Sequence, residues 1–318
     1  MSAQALACNE PATFAIQKAV AGNMRALNFM LARNYLKLSP GSAVPPAAET
    51  KFYESLVTST GIRKTTAPGR LDRVNQLFFE VLGGLALEPK TIMDVGISSG
   101  VTTLEWLQEF DRRGMDVEMI GTDANMTAYL YKLSPSFHVL ADRNRNLLQL
   151  ELFGFAVRPY HRKRDIFTGG VIWRPILRRI ASRLLPAVSH EGPLYLVTPL
   201  LRNQGRVQLI DDDILQPNSP ALVRSADVVR VANLIQHEYL DARAIARAVE
   251  NVRQRCRGKD SLVVVCRNQP ALSASILRMN AERRFVVQAR EGGGSEVEEF
   301  FTSNSRFEPC TADVSPSP

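Results

Sequence analysis

The strongest constraint in this sequence is a short apolar run that ends in a glycine turn and passes at once into a helical pattern. The run is TIMDVG (91–96), the turn continues through Ser98, Ser99 and Gly100, and residues 101–113 carry helical spacing. A second run, VEMIGTD, follows at 117–123. Strand, turn, helix and strand in that order form a βαβ unit, which sets the two strands parallel. The pattern resumes with VQLIDDD (207–213), ADVVRVAN (226–233), a helix near 241–257 and SLVVVCR (261–267). Such alternation predicts an α/β fold with a doubly wound, mostly parallel sheet. Near the end, RRFVVQAR and SEVEEFFTS flank Glu-Gly-Gly-Gly, so 283–302 reads as an antiparallel hairpin.

Two stretches depart from the alternation. Residues 12–38, 50–58 and 71–86 read as helices, broken by the Pro/Ser/Gly segment 39–46, and 1–86 is expected to form a helical N-terminal cap. Between Asp123 and Val207 lie more than 80 residues where a doubly wound sheet needs one helix. An insertion over about 126–204 is therefore expected within a domain spanning 87–307. In it, 138–157 reads as two strands around a polar turn and 173–188 as an amphipathic helix. The tail 308–318 is expected to be disordered.

The turn after the first strand carries the chemistry. Glycines at 96 and 100 allow positive φ and let a ligand approach the backbone. The helix that follows offers free N–H groups at its start. Asp123 ends the next strand, 27 residues after Gly96, where a carboxylate can accept ribose hydroxyls. The dinucleotide spacing G-x-G-x-x-G is absent. Asp94, just before the first glycine, would repel a pyrophosphate and suit an ammonium group.

In these residues the chain resembles the class I S-adenosylmethionine (SAM)-dependent methyltransferases. DVGISSG (94–100) matches their first motif in its acid and outer glycines, with Ser98 at the middle glycine. The resemblance covers roughly 85–123 and 205–302, and it implies a seven-stranded sheet with SAM as cofactor. It implies that Asp94, Gly96, Ser98 and Gly100 cradle the cofactor and that Asp123 binds its ribose. Asp213 would meet the adenine, with Asp212 as the second choice and Ile214 beside them. Asn233, after the fourth strand, would face the transferred methyl. His237 is a candidate base toward the acceptor, and Tyr53 is a candidate to fold over the cofactor from the cap. The tetrapeptide used to methylate amino groups on DNA bases and protein glutamine is missing, since 233–236 reads Asn-Leu-Ile-Gln. A cytosine-C5 mechanism lacks its cysteine, because the one Pro-Cys pair, Pro309-Cys310, lies in the tail. The implied activity is methyl transfer to a small-molecule or lipid-like, anionic or amphiphilic acceptor. The rival reading is a non-catalytic SAM-binding or membrane-surface interaction protein.

Charge adds a second line of inference. The chain of 318 residues has a formal net charge of +7. Between Arg143 and Arg183 stand ten Lys/Arg and two acids, a local +8, so the remainder is close to neutral. Within 173–188, the residues Trp173, Ile176, Leu177, Ile180, Leu184 and Val188 are expected on one face and Arg174, Arg178, Arg179 and Arg183 largely on the other. Three readings are open for this element: a lid over an anionic acceptor, a helix on an anionic membrane surface, and nucleic-acid binding. Few aromatics interleave with the basic residues, so the third is disfavoured. Composition, at 45% hydrophobic and 22% charged, excludes a disordered chain. The four cysteines form no CxxC pair, so no metal site or disulfide framework is expected, and the chain reads as cytoplasmic, with the basic helix allowing peripheral membrane contact. No apolar run approaches the roughly 18 residues that span a bilayer.

Overall fold

The computed structural model describes residues 30–38, 46–57, 64, 68–160 and 170–303. Most of the expected helix 12–38, the basic run 161–164 and the tail 308–318 lie outside the described residues.

The α/β fold read from the sequence is present. Seven strands are hydrogen-bonded in the order β12-β11-β10-β9-β1-β2-β8. They are β1 Thr91–Val95, β2 Glu118–Asp123, β8 Val207–Asp211, β9 Val228–Ala232, β10 Leu262–Arg267, β11 Ser273–Met279 and β12 Phe285–Glu291. β1 pairs in parallel with β2 and β9, and β9 in parallel with β10. β11 and β12 are antiparallel additions. Strand order reverses at β1, with β2 on one side and β9 on the other. In sheets of this type, ligands bind outside the carboxyl ends of the strands at that switch point.

Two compact units make up the chain. One comprises Arg70–Gly96, Leu107–Thr122 and Asp212–Pro318. Its helix α3 (Asp72–Gly84) buries Val74, Phe78, Phe79 and Leu82, and Phe79 meets Phe110 with ring centroids 4.9 Å apart. Helix α7 (Ala242–Arg255) buries Ile245, Ala248, Val249 and Val252, one stripe at helical spacing. Asp241 caps it by accepting from the Ala244 N–H at 2.8 Å. Asp227 joins two strand starts, accepting from the Lys90 and Thr91 N–H groups at 2.9 Å each.

The hairpin is displaced from its expected position. Its arms are β11 and β12, and the glycines 292–294 follow the second arm instead of joining the two. Residues read as a strand in SEVEEFFTS form helix α8 (Glu298–Thr302). The reason is spacing: Val297 and Phe301 are buried while Glu299 between them is exposed, which a helix satisfies, whereas a strand would turn all three to one face. Gly292 has φ +58°, and a Cβ there would stand 2.0 Å from the Leu272 carbonyl oxygen.

The other unit comprises Met1–Gly69, Ile97–Trp106 and Asp123–Asp211. Its sheet is antiparallel, in the order β6-β5-β4-β3-β7. The strands are β3 Thr127–Ser134, β4 Phe137–Asp142, β5 Leu147–Leu152, β6 Phe155–Val157 and β7 His190–Tyr195. Both faces are covered. Helices α1 (Ala32–Leu38) and α2 (Pro46–Ser55) put Tyr35, Phe52 and Tyr53 against Ala128, Leu130, Leu140 and Leu148. Helix α5 (Gly170–Leu184) puts Trp173, Leu177 and Ala181 against Tyr131, Val139 and Leu150 on the opposite face. Every residue of β5 is accordingly buried. So α1 and α2 cover the inserted sheet, while α3 belongs with the larger sheet. Helices α4 (Val101–Arg112) and α6 (Pro199–Arg202) complete the described set. No helix among the described residues is long and apolar enough to cross a membrane.

Candidate functional site

The turn between β1 and α4 holds three left-handed residues within five positions: Gly96 at φ +75°, Ser98 at +58° and Gly100 at +81°. Ser98 is the costly one, because a Cβ disfavours this region by about 1–2 kcal/mol. Gly96 leads into the turn, its N–H donating to the Thr122 carbonyl at 2.7 Å. Space is short around both glycines. A Cβ on Gly96 would lie 2.9 Å from Leu234 Cδ2, and one on Gly100 would lie 2.6 Å from Leu201 Cδ2. The Ser98 and Ser99 hydroxyl oxygens are buried and have no hydrogen-bond partner among the described residues. Buried polar atoms are nearly always paired, so two orphans in one turn point to a missing polar group there.

Asp123 ends β2 with its carboxylate held from three directions. The Ser98 N–H donates to Oδ2 at 2.8 Å, the Asn125 N–H to Oδ1 at 2.9 Å, and Lys64 Nζ to Oδ1 at 3.0 Å. Lys64 also donates to the Asn125 carbonyl at 2.5 Å and is nearly fully buried. Sequence reasoning missed Lys64. It lies in a polar loop, 59 residues from its partner, and no local pattern marks it.

Asp94 is paired with Arg230, the residue opposite it in the β1–β9 register. Arg230 Nε donates to Oδ1 at 3.0 Å and Nη2 to Oδ2 at 2.6 Å, with the two side chains 1% and 4% exposed. Arg230 Nη1 also donates to Asn75 Oδ1 at 3.2 Å. Arg230 was read only as part of an apolar strand.

Another left-handed non-glycine residue follows β9. Asn233 has φ +57°, and its side chain exchanges two hydrogen bonds with Asn268. Asn233 Nδ2 donates to Asn268 Oδ1 at 3.0 Å, and the Asn268 N–H donates to Asn233 Oδ1 at 2.8 Å. This amide pair clamps the ends of β9 and β10. His237 is exposed, with its N–H donating to Glu296 Oε1 at 3.0 Å and its ring centroid 5.9 Å from that of Phe300.

Among the acids after β8, Asp212 takes a 2.6 Å bond from Arg255, whose guanidinium is fully buried. Burial pulls the Arg255 pKa below its usual value, and Asp212 opposes that shift. Asp213 Oδ1 accepts the Leu215 N–H at 3.0 Å and is half-buried. Ile214 is buried, its carbonyl accepting from Asn251 Nδ2 at 2.6 Å. Burial pushes the Cys256 and Cys266 thiols up to about 12, so neither is a nucleophile near neutral pH.

Tyr53 lies inside the core beside α1, its hydroxyl 3.4 Å from that of Tyr35. Tyr35 in turn donates to Glu49 Oε1 at 3.3 Å. Desolvation raises Tyr35 to about 12, drives Tyr53 well above its usual value, and raises Glu49 as well. Thr198 bonds to Glu49, and the Thr198 N–H donates to the Ser99 carbonyl at 2.8 Å. Tyr53 thus reaches the glycine turn indirectly, through Tyr35, Glu49 and Thr198. Because the folded-state pKa of Glu49 is raised, the folded protein favours its protonated form, and this contribution is lost as pH rises through that value. A Glu49→Gln variant is therefore expected to gain stability relative to wild type as pH climbs above about 4.5. Urea unfolding at a series of pH values measures the difference, and a gap that does not change with pH would refute it.

No protein-family model matches the sequence, and no curated protein matches it. Solved structures align only loosely. The citrinin polyketide synthase CMeT domain is 16% identical at a TM-score of 0.27, covering 56% of this chain and 28% of that one. A putative SAM-dependent methyltransferase from Methanococcus maripaludis is 8% identical at 0.30, covering 63% and 57%. The N-methyltransferase NodS from Bradyrhizobium japonicum, solved with S-adenosyl-L-homocysteine, is 13% identical at 0.31, covering 67% and 68%. A putative zinc-dependent alcohol dehydrogenase from Rhodobacter sphaeroides scores 0.27 at 14% identity. The chain spans less than two thirds of the first two of these chains. Likeness at this level does not separate one activity from another, and the functional reading rests on the site itself.

Proposed function

We propose that this chain is a class I SAM-dependent methyltransferase acting on a small-molecule or lipid-like anionic acceptor. The observation that carries the reading is the turn after β1. Three left-handed residues keep its backbone open, two buried serine hydroxyls lack partners among the described residues, and the Ser98 N–H fixes the Asp123 carboxylate. That donor and acceptor set suits a nucleoside bearing an amino-acid end, and residues 96–100 of the turn carry no cationic side chain for a pyrophosphate.

When bound, SAM supplies a methyl already activated on a sulfonium, so the protein mainly aligns the acceptor and excludes water. Asp123 would accept from a ribose hydroxyl through Oδ2, which carries one donor where Oδ1 carries two. Three donors already occupy it, and a carboxylate has about four acceptor sites. Lys64 therefore helps set which site remains for a ligand. Asp213, whose half-buried carboxylate is held by a single backbone donor, is better placed to accept a further bond than Asp212, which Arg255 neutralises. Asn233 lends a fixed backbone at the end of β9.

Titration calorimetry with SAM tests the reading. Wild type is expected to bind saturably, and Asp123→Ala to bind at least about tenfold more weakly, as expected for losing a hydrogen bond to a charged group. Thermal unfolding of the variant, run alongside, separates lost contact from lost fold. Undiminished affinity would refute the ribose assignment, and no binding to wild type at millimolar SAM would refute the cofactor. A second reading, SAM binding without turnover, has one observation in its favour. Of the three candidates on the acceptor side, Tyr53 is buried and the Asn233 amide is engaged, which leaves His237. Binding without methylation of any component of a cell extract would support it.

A further inference from the structure

Helix α5 sits on the antiparallel sheet by a different face from the one its sequence suggests. Trp173, Leu177, Ala181 and Leu185 turn inward. Ile172, Ile176, Ile180 and Leu184 stay out, at 71%, 52%, 42% and 43% exposure. Single exposed aliphatic residues need no explanation. These four follow one another at i, i+4, i+8 and i+12, a continuous stripe about 18 Å long at 1.5 Å per residue. Arg179 and Arg183, each three residues after a stripe isoleucine, stand next to it and are exposed. The other two arginines of the helix serve the fold. Arg174 donates to the carbonyls of Arg158 and Tyr160 at 2.7 and 3.3 Å, and Arg178 lies over the Tyr160 ring. The helix contains no acid.

We propose that this face docks the protein on an anionic lipid surface, with the four aliphatic side chains in the acyl boundary and Arg179 and Arg183 on lipid phosphates. The charge decides the partner. An aliphatic stripe whose neighbouring charges are all guanidinium groups suits a surface that is apolar below and anionic above. A nucleic acid would need exposed rings for stacking, and the one ring of this helix, Trp173, is turned inward. The proposal stands apart from the cofactor reading, since neither depends on the other.

Co-sedimentation of the full chain with vesicles tests it. In 0.1 M salt, wild type is expected to bind phosphatidylcholine vesicles containing 30% phosphatidylserine at least tenfold more tightly than pure phosphatidylcholine. Ile176→Ser with Ile180→Ser is expected to reduce that binding at least tenfold. Both side chains are exposed, so the fold and thermal stability should persist. Arg179→Gln with Arg183→Gln should weaken binding and flatten its dependence on salt. Wild type that ignores anionic vesicles overturns the proposal, as does binding unchanged by the isoleucine pair. Loss of self-association in the isoleucine pair, with no vesicle binding by wild type, would assign the stripe to a second copy of this chain and equally overturn it.

Discussion

An Arg230→Met variant is expected to lose about 3–5 kcal/mol of unfolding free energy, the usual effect of leaving one member of a buried ion pair without its partner. Both Asp94 oxygens accept from this one guanidinium, at 3.0 and 2.6 Å, deep between β1 and β9. Removing it takes two hydrogen bonds and a countercharge from a carboxylate with almost no access to water. Urea unfolding would show the loss as a lowered midpoint. The double variant Asp94→Leu, Arg230→Met should recover most of the stability, since two apolar side chains need no compensation for lost hydration. The double variant also separates two roles of Asp94. If the carboxylate serves only the fold, the double variant binds SAM as wild type does. If it also meets the ligand's ammonium, the fold returns and the affinity does not. A single Arg230→Met variant as stable as wild type would refute the account.

Gly100→Ala is expected to be the next most damaging change, at roughly 2–5 kcal/mol. One part is the left-handed backbone at φ +81°, which costs an alanine about 1–2 kcal/mol. The other is crowding. The new Cβ would lie 2.6 Å from Leu201 Cδ2 and 3.1 Å from Val197 Cγ1, and both side chains belong to a buried cluster with Ile97 and Met126. Overpacking of this kind typically costs about 1–3 kcal/mol. Gly100 also donates to the Ile97 carbonyl at 2.9 Å and accepts from the Leu104 N–H, so a shift there opens the turn and frays the start of α4. SAM affinity should fall with stability. By contrast, Gly205→Ala has open space around it and no positive φ, and serves as the control. Equal stability for the two variants would overturn the argument.

Where a local rule decided the outcome, the sequence was readable. TIMDVG, VEMIGTD and SLVVVCR became β1, β2 and β10 within a residue or two, because each is a short apolar run bounded by turn residues. The glycine turn was legible because glycine spacing encodes positive φ directly. Features that depend on pairing across the fold were not. Asp94 and Arg230 are 136 residues apart and meet only through strand register. Lys64 reaches Asp123 from a loop with no periodicity. Strand β3 has no counterpart in the sequence reading, which places the insertion's strands only within 138–157, although Ala128 and Leu130 turn to one face and Tyr129 and Tyr131 to the other. The docking face of α5 was misjudged for a related reason. Its apolar residues cover more than one side of the helix, and only the sheet beneath selects which side is buried.

The two units interleave along the chain, which passes from one to the other after residues 69, 96, 106, 122 and 211. No contiguous fragment therefore carries either unit whole. A truncation that keeps only the inserted sheet loses Ile97–Trp106, which that unit draws from the heart of the βαβ segment. During synthesis the same layout sets an order. Residues through Asp211 can complete the first unit while the second still lacks β9, β10, β11 and β12, so a nascent chain holds the β9-facing edge of β1 unpaired until β9 emerges. Stalled or clipped products that end before β9 would then be expected to aggregate through that edge, and expression in a single piece avoids it.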